Sequence, residues 1–331
     1  MDLTGAGSEA DVLRRSDALE AFRAEVGEAG PVAVVGGRTQ WSVGGEPAPG
    51  VRVVGAPVGV VDHQPADMTV RVGAGTPLVD LAGALAAAGQ FVTIDPPGRA
   101  GPVLPSAPAG DLGGPTVGGL LAVGRSGLRR LRYGPTRDCL LEATWVSAEG
   151  RLVRAGGPVV KNVSGFDLGR LMVGSLGTLG LLGEVVLRTQ PLPPVSRWLR
   201  CPGADPARVI AGLYRPASVL WDGTGVWVLL EGRAGDVDDQ AGWLSAEGGT
   251  EVAGPPEAPS AGRRSLPPAE AVAFCRGRPS GTFVVEVGVG TVHLAEPAPH
   301  RRPHPSTAGL QRRIKEAFDP EGRLNPGRQP E

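Results

Sequence analysis

Val12, Leu13, Leu19, Phe22 and Val26 recur near the helical period, which predicts a helix over Glu9–Val26. The hydrophobic runs then shorten. Pro31–Val35 is apolar and stops at Gly36-Gly37, as a buried strand does on entering a tight turn. Val51–Val54 and Val58–Val61 are two further β-branched runs, and Thr69–Val72 alternates before Gly73-Ala74-Gly75. Thr76-Pro77 reads as a cap followed by a proline at the first helical position. Leu78, Leu81, Ala82 and Leu85 form the buried stripe of that helix, Gly89 ends it, and Phe91–Ile94 is again strand-like. Asp95–Pro115 has no period and reads as loop, leading into a helix start at Thr116–Ala122. Leu140–Val146 and Leu152–Ala155 flank Glu149-Gly150 as a hairpin. A Gly-rich turn over Gly156–Gly165, a short helix over Phe166–Val173 and a buried strand over Leu179–Leu187 follow.

Pro191, Pro193 and Pro194 mark a boundary, and beyond them the pattern thins. Val226–Leu230 and Thr282–Val287 read as strands and Asp236–Leu244 as a helix. Gly254–Pro268 and Glu296–Pro305 read as Pro-rich loops, and Leu310–Phe318 as a last helix. The pattern is that of an α+β chain whose second part is the less regular.

Composition narrows the function classes. The chain has 331 residues, enough for two domains. Lys and Arg total 33 against 34 Asp and Glu, so there is no basic field of the kind that nucleic-acid binding needs. No run of about 18 apolar residues is present, and the first residues are polar and acidic rather than a secretory signal. The expected location is the cytoplasm. Cys139, Cys201 and Cys275 are widely spaced and offer no metal-ligand or disulfide framework. Lysine occurs only at Lys161 and Lys315, and asparagine only at Asn162 and Asn325. In so Arg- and Gly-rich a chain, these rare residues mark two stretches as candidates for a specific role.

Three segments are candidates for anion binding. Gly36, Gly37, Arg38, Thr39 and Gln40 follow a buried strand, where glycines let several N–H groups converge on one anion and the threonine adds a donor. The alternative is an ordinary turn. The segment is neither G-x-G-x-x-G nor a Walker loop. Thr116, Gly118 and Gly119 stand at a helix start, where unpaired N–H groups attract anions. Lys161, Asn162, Gly165 and Asp167 cluster in a Gly-rich turn, either to hold a phosphate or with Asp167 as a helix cap and Asn162 as a turn closer.

GGRTQW, VRVGAGTPLVDL, DPPGRAGP, TVGGLLAVGRSGLRRLRYGPTRD, KNVSGFDLGRLMVGSLGTLGLLGEVVL and IKEAFDPEGRLNPGR occur in this order. This set resembles the FAD-binding family of p-cresol methylhydroxylase and vanillyl-alcohol oxidase (PCMH type), in particular its glycolate oxidase branch. The resemblance implies a two-subdomain FAD-binding domain over 10–192, a small, reduced cap over 193–309, and a helix and tail over 310–331 returning to the FAD domain. It implies that Gly36–Gln40 bind the pyrophosphate, that Thr116, Gly118 and Gly119 run along the flavin and phosphates, and that Glu184 and Val185 lie against the cofactor through their main chain. Relatives often have a third glycine where Arg38 stands, and those with covalent flavin often carry a histidine in that loop. None is present here, which implies noncovalent FAD. The implied activity is oxidation of a small 2-hydroxy acid, glycolate to glyoxylate, within a complex that includes a related flavin subunit and an iron–sulfur subunit, with peripheral membrane association through those partners. A stand-alone FAD-dependent alcohol or hydroxy-acid oxidase and a non-catalytic flavin-fold subunit are the alternatives. No catalytic acid or base is assigned. Arg129, Arg130 and Arg132 are candidates for pairing the substrate carboxylate. His293, His300 and His304 are the only histidines of the cap, and Pro303 breaks the helix that would align the last two.

Overall fold

The computed structural model describes residues 9–96, 114–157, 167–298 and 305–330. Helix α1 (Glu9–Val26) has the bounds its periodicity predicts, and β1 (Val32–Val35) pairs in parallel with β2 (Arg52–Gly55). The chain continues through β3 (Val60–Gln64), β4 (Thr69–Gly73), α2 (Leu78–Ala86), β5 (Gln90–Phe91), α3 (Val117–Val123) and α4 (Arg130–Tyr133). After a 3-10 turn come β6 (Leu140–Val146), β7 (Leu152–Gly156), α5 (Leu168–Met172), β8 (Leu181–Arg188) and β9 (Gln190–Pro191). Strands β3-β4-β8-β6-β7 form an antiparallel sheet with β8 at its centre.

Two cores hold this part. Leu78, Leu81 and Leu85 of α2 and Leu120 and Leu121 of α3 pack with Val70, Val72, Val185 and Leu187 of the sheet. Phe22 and Val26 of α1 pack with Val32, Val54, Leu181 and Leu324 in the other. A Cβ at Gly183 would lie 2.8 Å from Leu19 and 3.2 Å from Phe22, so α1 rests directly on the backbone of β8. The β1–β2 pair and the five-stranded sheet thus form two α+β lobes joined along β8.

The Thr76-Pro77 expectation is corrected. Pro77 is the residue before α2 and no side chain caps the helix. Thr76 Oγ1 instead accepts from the Gly59 N–H at 2.8 Å and donates to the Gly73 carbonyl at 2.7 Å, fastening β4 to the chain before β3.

The second part is more regular than its sequence pattern suggests. It comprises β10 (Val195–Pro202), α6 (Pro206–Gly212), β11 (Ser218–Trp221), β12 (Gly225–Gly232), α7 (Ala234–Ala246), β13 (Thr250–Val252), β14 (Gly262–Ser265), α8 (Pro268–Cys275), β15 (Phe283–Glu286) and β16 (Thr291–Leu294). These strands form one seven-stranded sheet in the order β13-β10-β12-β11-β15-β16-β14. Val226, Val228 and Leu230 of β12 face a core shared with α6, α7 and α8, while Leu229 faces Leu128 of the first part. Both faces are therefore covered, which explains the unbroken apolar run in β12. The outer strands β13 (Thr-Glu-Val) and β14 (Gly-Arg-Arg-Ser) are short and polar, as edge strands often are, and so leave no alternation to read.

Finally α9 (Pro305–Phe318) leads into a tail that returns to β1: the Val32 N–H donates to the Arg323 carbonyl at 2.9 Å, and the Asn325 N–H to the Val32 carbonyl at 2.7 Å. Among the described residues no helix is long and apolar enough to cross a membrane.

Candidate cofactor site

An open cleft lies between the two lobes of the first part. Strand β1 delivers Gly36–Gln40 to its rim. Arg38 has left-handed backbone (φ 55°), a conformation that a non-glycine residue adopts at a cost of roughly 1–2 kcal/mol. Turn bonds from the Trp41 N–H to the Arg38 carbonyl (3.2 Å) and from the Val43 N–H to the Gln40 carbonyl (3.1 Å) hold the loop. The N–H groups of Gly37, Arg38, Thr39 and Gln40 meet no acceptor among the described residues. Successive free N–H groups around a left-handed residue form an anion nest.

Thr116 joins this loop to α3. A Cβ on Gly36 would stand 2.2 Å from Thr116 Oγ1, so only glycine allows the approach. Thr116 Oγ1 also accepts from the Gly119 N–H at 3.3 Å and so caps α3. The expectation of free N–H groups at this helix start is corrected. The Val117 N–H donates to the Thr76 carbonyl at 3.0 Å and the Gly118 N–H to the Ala74 carbonyl at 2.7 Å. Gly118 is needed because a Cβ there would lie 2.7 Å from the Ala74 Cβ and 2.8 Å from its carbonyl oxygen. Thr116, Gly118 and Gly119 line the cleft, but as wall rather than as an anion-binding helix end.

The other expected residues lie elsewhere. Glu184 is buried on β8 and bonded to Arg71 at 2.9 Å, which also bonds Glu142 at 2.6 Å. Val185 is part of the core. Neither lines the cleft, because β8 runs between β4 and β6 and its main chain is committed to both ladders. Asp167 is an exposed cap of α5, accepting from the Arg170 N–H at 3.3 Å and pairing with its guanidinium at 2.9 Å. Lys161, Asn162 and Gly165 fall outside the described residues, as do His300 and His304. His293 pairs with Glu286 at 2.8 Å inside the second sheet. Arg129 is 3% exposed and held by Glu231 at 3.0 Å and Asp95 at 3.6 Å, while the half-buried Arg132 donates to the Glu231 carbonyl.

Three groups complete the cleft that the sequence reading did not assign. Ser175–Gly177, with Leu176 left-handed (φ 53°), forms one wall; the Leu176 N–H donates to the Ala122 carbonyl at 2.9 Å. Trp41 forms another, with the guanidinium groups of Arg38 and Arg328 at 5.2 and 4.4 Å from its ring centroid. The tail supplies Asn325 and Arg328; Arg328 donates to the Val43 carbonyl at 2.7 Å and to the Trp41 carbonyl. Lys315 ties α9 to the Gly-rich turn, donating to the Thr178 carbonyl at 2.7 Å and to the Asp319 carboxylate. The rarity of Lys315 and Asn325 was the signal for this tail. Among the described residues the only charged groups lining the cleft are Arg38 and Arg328, both cationic. Free N–H groups, two guanidiniums and apolar walls of Val35, Leu120 and Leu182 suit a ligand with an anionic centre and flat rings.

Residues 13–156 match the family model of the FAD binding domain. The match spans less than half of the 331 residues. The free N–H nest of Gly37–Gln40 and the capping Thr116 both belong to it. A stretch of 202 residues is 34% identical to glycolate oxidase subunit GlcE of Escherichia coli, covering 59% of this chain and 53% of that protein. A stretch of 168 residues is 36% identical to D-2-hydroxyglutarate dehydrogenase of Xanthomonas citri pv. viticola, covering 49% of this chain and 33% of that one. The chain thus spans about half or less of the length of these relatives. The structure of alkyldihydroxyacetonephosphate synthase superposes with a TM-score of 0.62 at 16% identity, over 97% of this chain and 75% of that one. The first part and the second sheet therefore share their α+β fold with that structure.

Proposed function

We propose that this chain is the FAD-binding subunit of a glycolate oxidase-like complex, oxidising a 2-hydroxy acid, glycolate to glyoxylate, with noncovalent FAD. The observation that carries the reading is the cleft itself: four free N–H groups and two arginines, with no carboxylate lining it among the described residues. Gly37–Gln40 would hold the pyrophosphate, and the apolar walls the rings. Bound FAD supplies two-electron oxidation of a C–H bond next to a hydroxyl. No histidine, cysteine or tyrosine lines the cleft among the described residues, in keeping with noncovalent binding. The two relatives are named for 2-hydroxy acids, which supports the substrate class, and one is named as a subunit.

In this reading 10–192 is the FAD-binding unit, 193–309 the substrate-side region and 310–331 the segment that returns to close the cofactor site. Cys139 is buried in the first part and Cys201 and Cys275 in the second, so they do not converge as cluster ligands. Electrons leaving the flavin are therefore assigned to partners, a related flavin subunit and an iron–sulfur subunit. The complex is placed in the cytoplasm, held at the membrane through those subunits.

The test is flavin content of the purified full-length chain, FAD release on acid precipitation, and glycolate-dependent dye reduction by the chain alone and co-expressed with both partners. A yellow chain that releases FAD and turns over only in the complex is the expected result. A chain that takes up no FAD overturns the reading. Equal turnover alone and in the complex favours the stand-alone oxidase, and no turnover in either favours the non-catalytic subunit.

A further inference from the structure

Asn325 lies far beyond the matched domain, yet it lines the same cleft. The residue is 8% exposed, and its backbone is left-handed (φ 44°), which asparagine tolerates better than most residues. Nδ2 donates to the Leu176 carbonyl. A carbonyl can only accept, so this bond fixes which end of the amide is oxygen. Oδ1 is buried and meets no donor among the described residues. Arg328 is similar: its Nη1 donates to the carbonyls of both Trp41 and Val43, while Nε is buried without an acceptor among the described residues. The tail therefore brings one unused acceptor and one unused donor on two residues that line the cleft.

Buried polar groups are normally paired, and an unpaired pair of them lining a cleft points to a ligand. A pyrophosphate offers only acceptor oxygens and cannot satisfy Asn325 Oδ1. A hydroxyl or amine can. We propose that Asn325 Oδ1 accepts a hydrogen bond from a hydroxyl or amine of bound FAD, and that Arg328 Nε donates to an oxygen of the same ligand. The C-terminal tail is then a binding wall of the cofactor site, and not only a strap across it. The proposal rests on the FAD reading above. Both halves of FAD carry such donors, on the adenosine side and on the ribityl–flavin side.

The test is FAD affinity of the full-length apo chain by flavin fluorescence, for the parent, Asn325→Gly, Arg328→Met and Lys315→Met. Glycine keeps the left-handed backbone and removes the amide. Lys315→Met loosens the tail at Thr178 and Asp319 without removing an atom from the cleft. Asn325→Gly should weaken FAD about tenfold, the size of one lost ligand hydrogen bond, and Lys315→Met less than about twofold. Competition with ADP and with FMN assigns the half: the ligand whose affinity falls with Asn325→Gly carries the donor. Unchanged FAD affinity in Asn325→Gly, or an equal loss in Lys315→Met, overturns the proposal. Should Asn325→Gly fail to fold, Arg328→Met decides by the same criterion. A parent chain that binds FAD beside unaffected variants sinks this proposal alone, whereas a parent that binds none sinks the FAD reading and this proposal with it.

Discussion

Asp95 is 4% exposed and lies at the junction of the two parts, facing Arg129 and, across it, Glu231 of β12. Tyr133 donates to the other oxygen of Glu231 at 3.2 Å, and the Arg129 guanidinium stacks 4.8 Å from the Phe91 ring centroid. Two carboxylates thus share one guanidinium in a buried site. Burial pushes the Asp95 carboxyl up from 3.8 to about 7; Arg129 opposes this and Glu231 adds to it. One oxygen of Asp95 has no partner among the described residues, as fits a group that carries a proton. Between 3.8 and about 7 the folded chain holds a proton that the unfolded chain has lost. Stability therefore falls as pH rises through that window and the loss is complete above it. At about 1.4 kcal/mol per pH unit, the loss is on the order of 4 kcal/mol. Asp95→Asn keeps the shape and removes the titration. Urea unfolding of parent and variant at pH of about 5, 6, 7 and 8 reads the difference. The variant should gain on the parent at each step and level off near pH 8. A difference in unfolding free energy that is the same at both ends of the range would refute the reasoning.

Gly118→Val drives a branched side chain against the Ala74 backbone, so the apo chain should lose roughly 1–3 kcal/mol or more, visible as a lower melting temperature without any flavin added. An apo chain that melts as the parent does would show that the glycine serves the ligand alone. Asp167→Ala removes an exposed cap, which should cost about 0.5–2 kcal/mol and leave FAD affinity unchanged. Weaker FAD binding in a variant of near-parental stability would return Asp167 to the cofactor site.

Local signals in the sequence sufficed where local physics decides. The period of Leu19, Phe22 and Val26 marks α1, and the run ending in Gly36-Gly37 marks the strand and turn that carry the nest. Thr116 caps α3 as its residue type suggests, and Gly36 meets it because glycine alone leaves the room. The second sheet was less legible because its edge strands are polar and lie in Pro-rich sequence, where only pairing with β10 and β16 makes them strands. Glu184 shows the limit most clearly. The resemblance implies that its main chain lies against the cofactor, yet that main chain is paired with β4 and β6, and its carboxylate with Arg71, over a hundred positions earlier.

The same distinction decides which loop can bind an anion. Both Gly36–Gln40 and the start of α3 have the residues to expose N–H groups. At α3 those groups are consumed by the carbonyls of Ala74 and Thr76, which the β4–α2 turn brings into register. At Gly37–Gln40 the chain bends at the left-handed Arg38 and the N–H groups meet no carbonyl among the described residues, while Arg328 of the tail packs on Trp41 beside the loop. A glycine-rich motif shows that a backbone can bend. Whether its N–H groups remain free depends on segments that fold against it from elsewhere in the chain, and here the free set lies on the one loop flanked by two arginines.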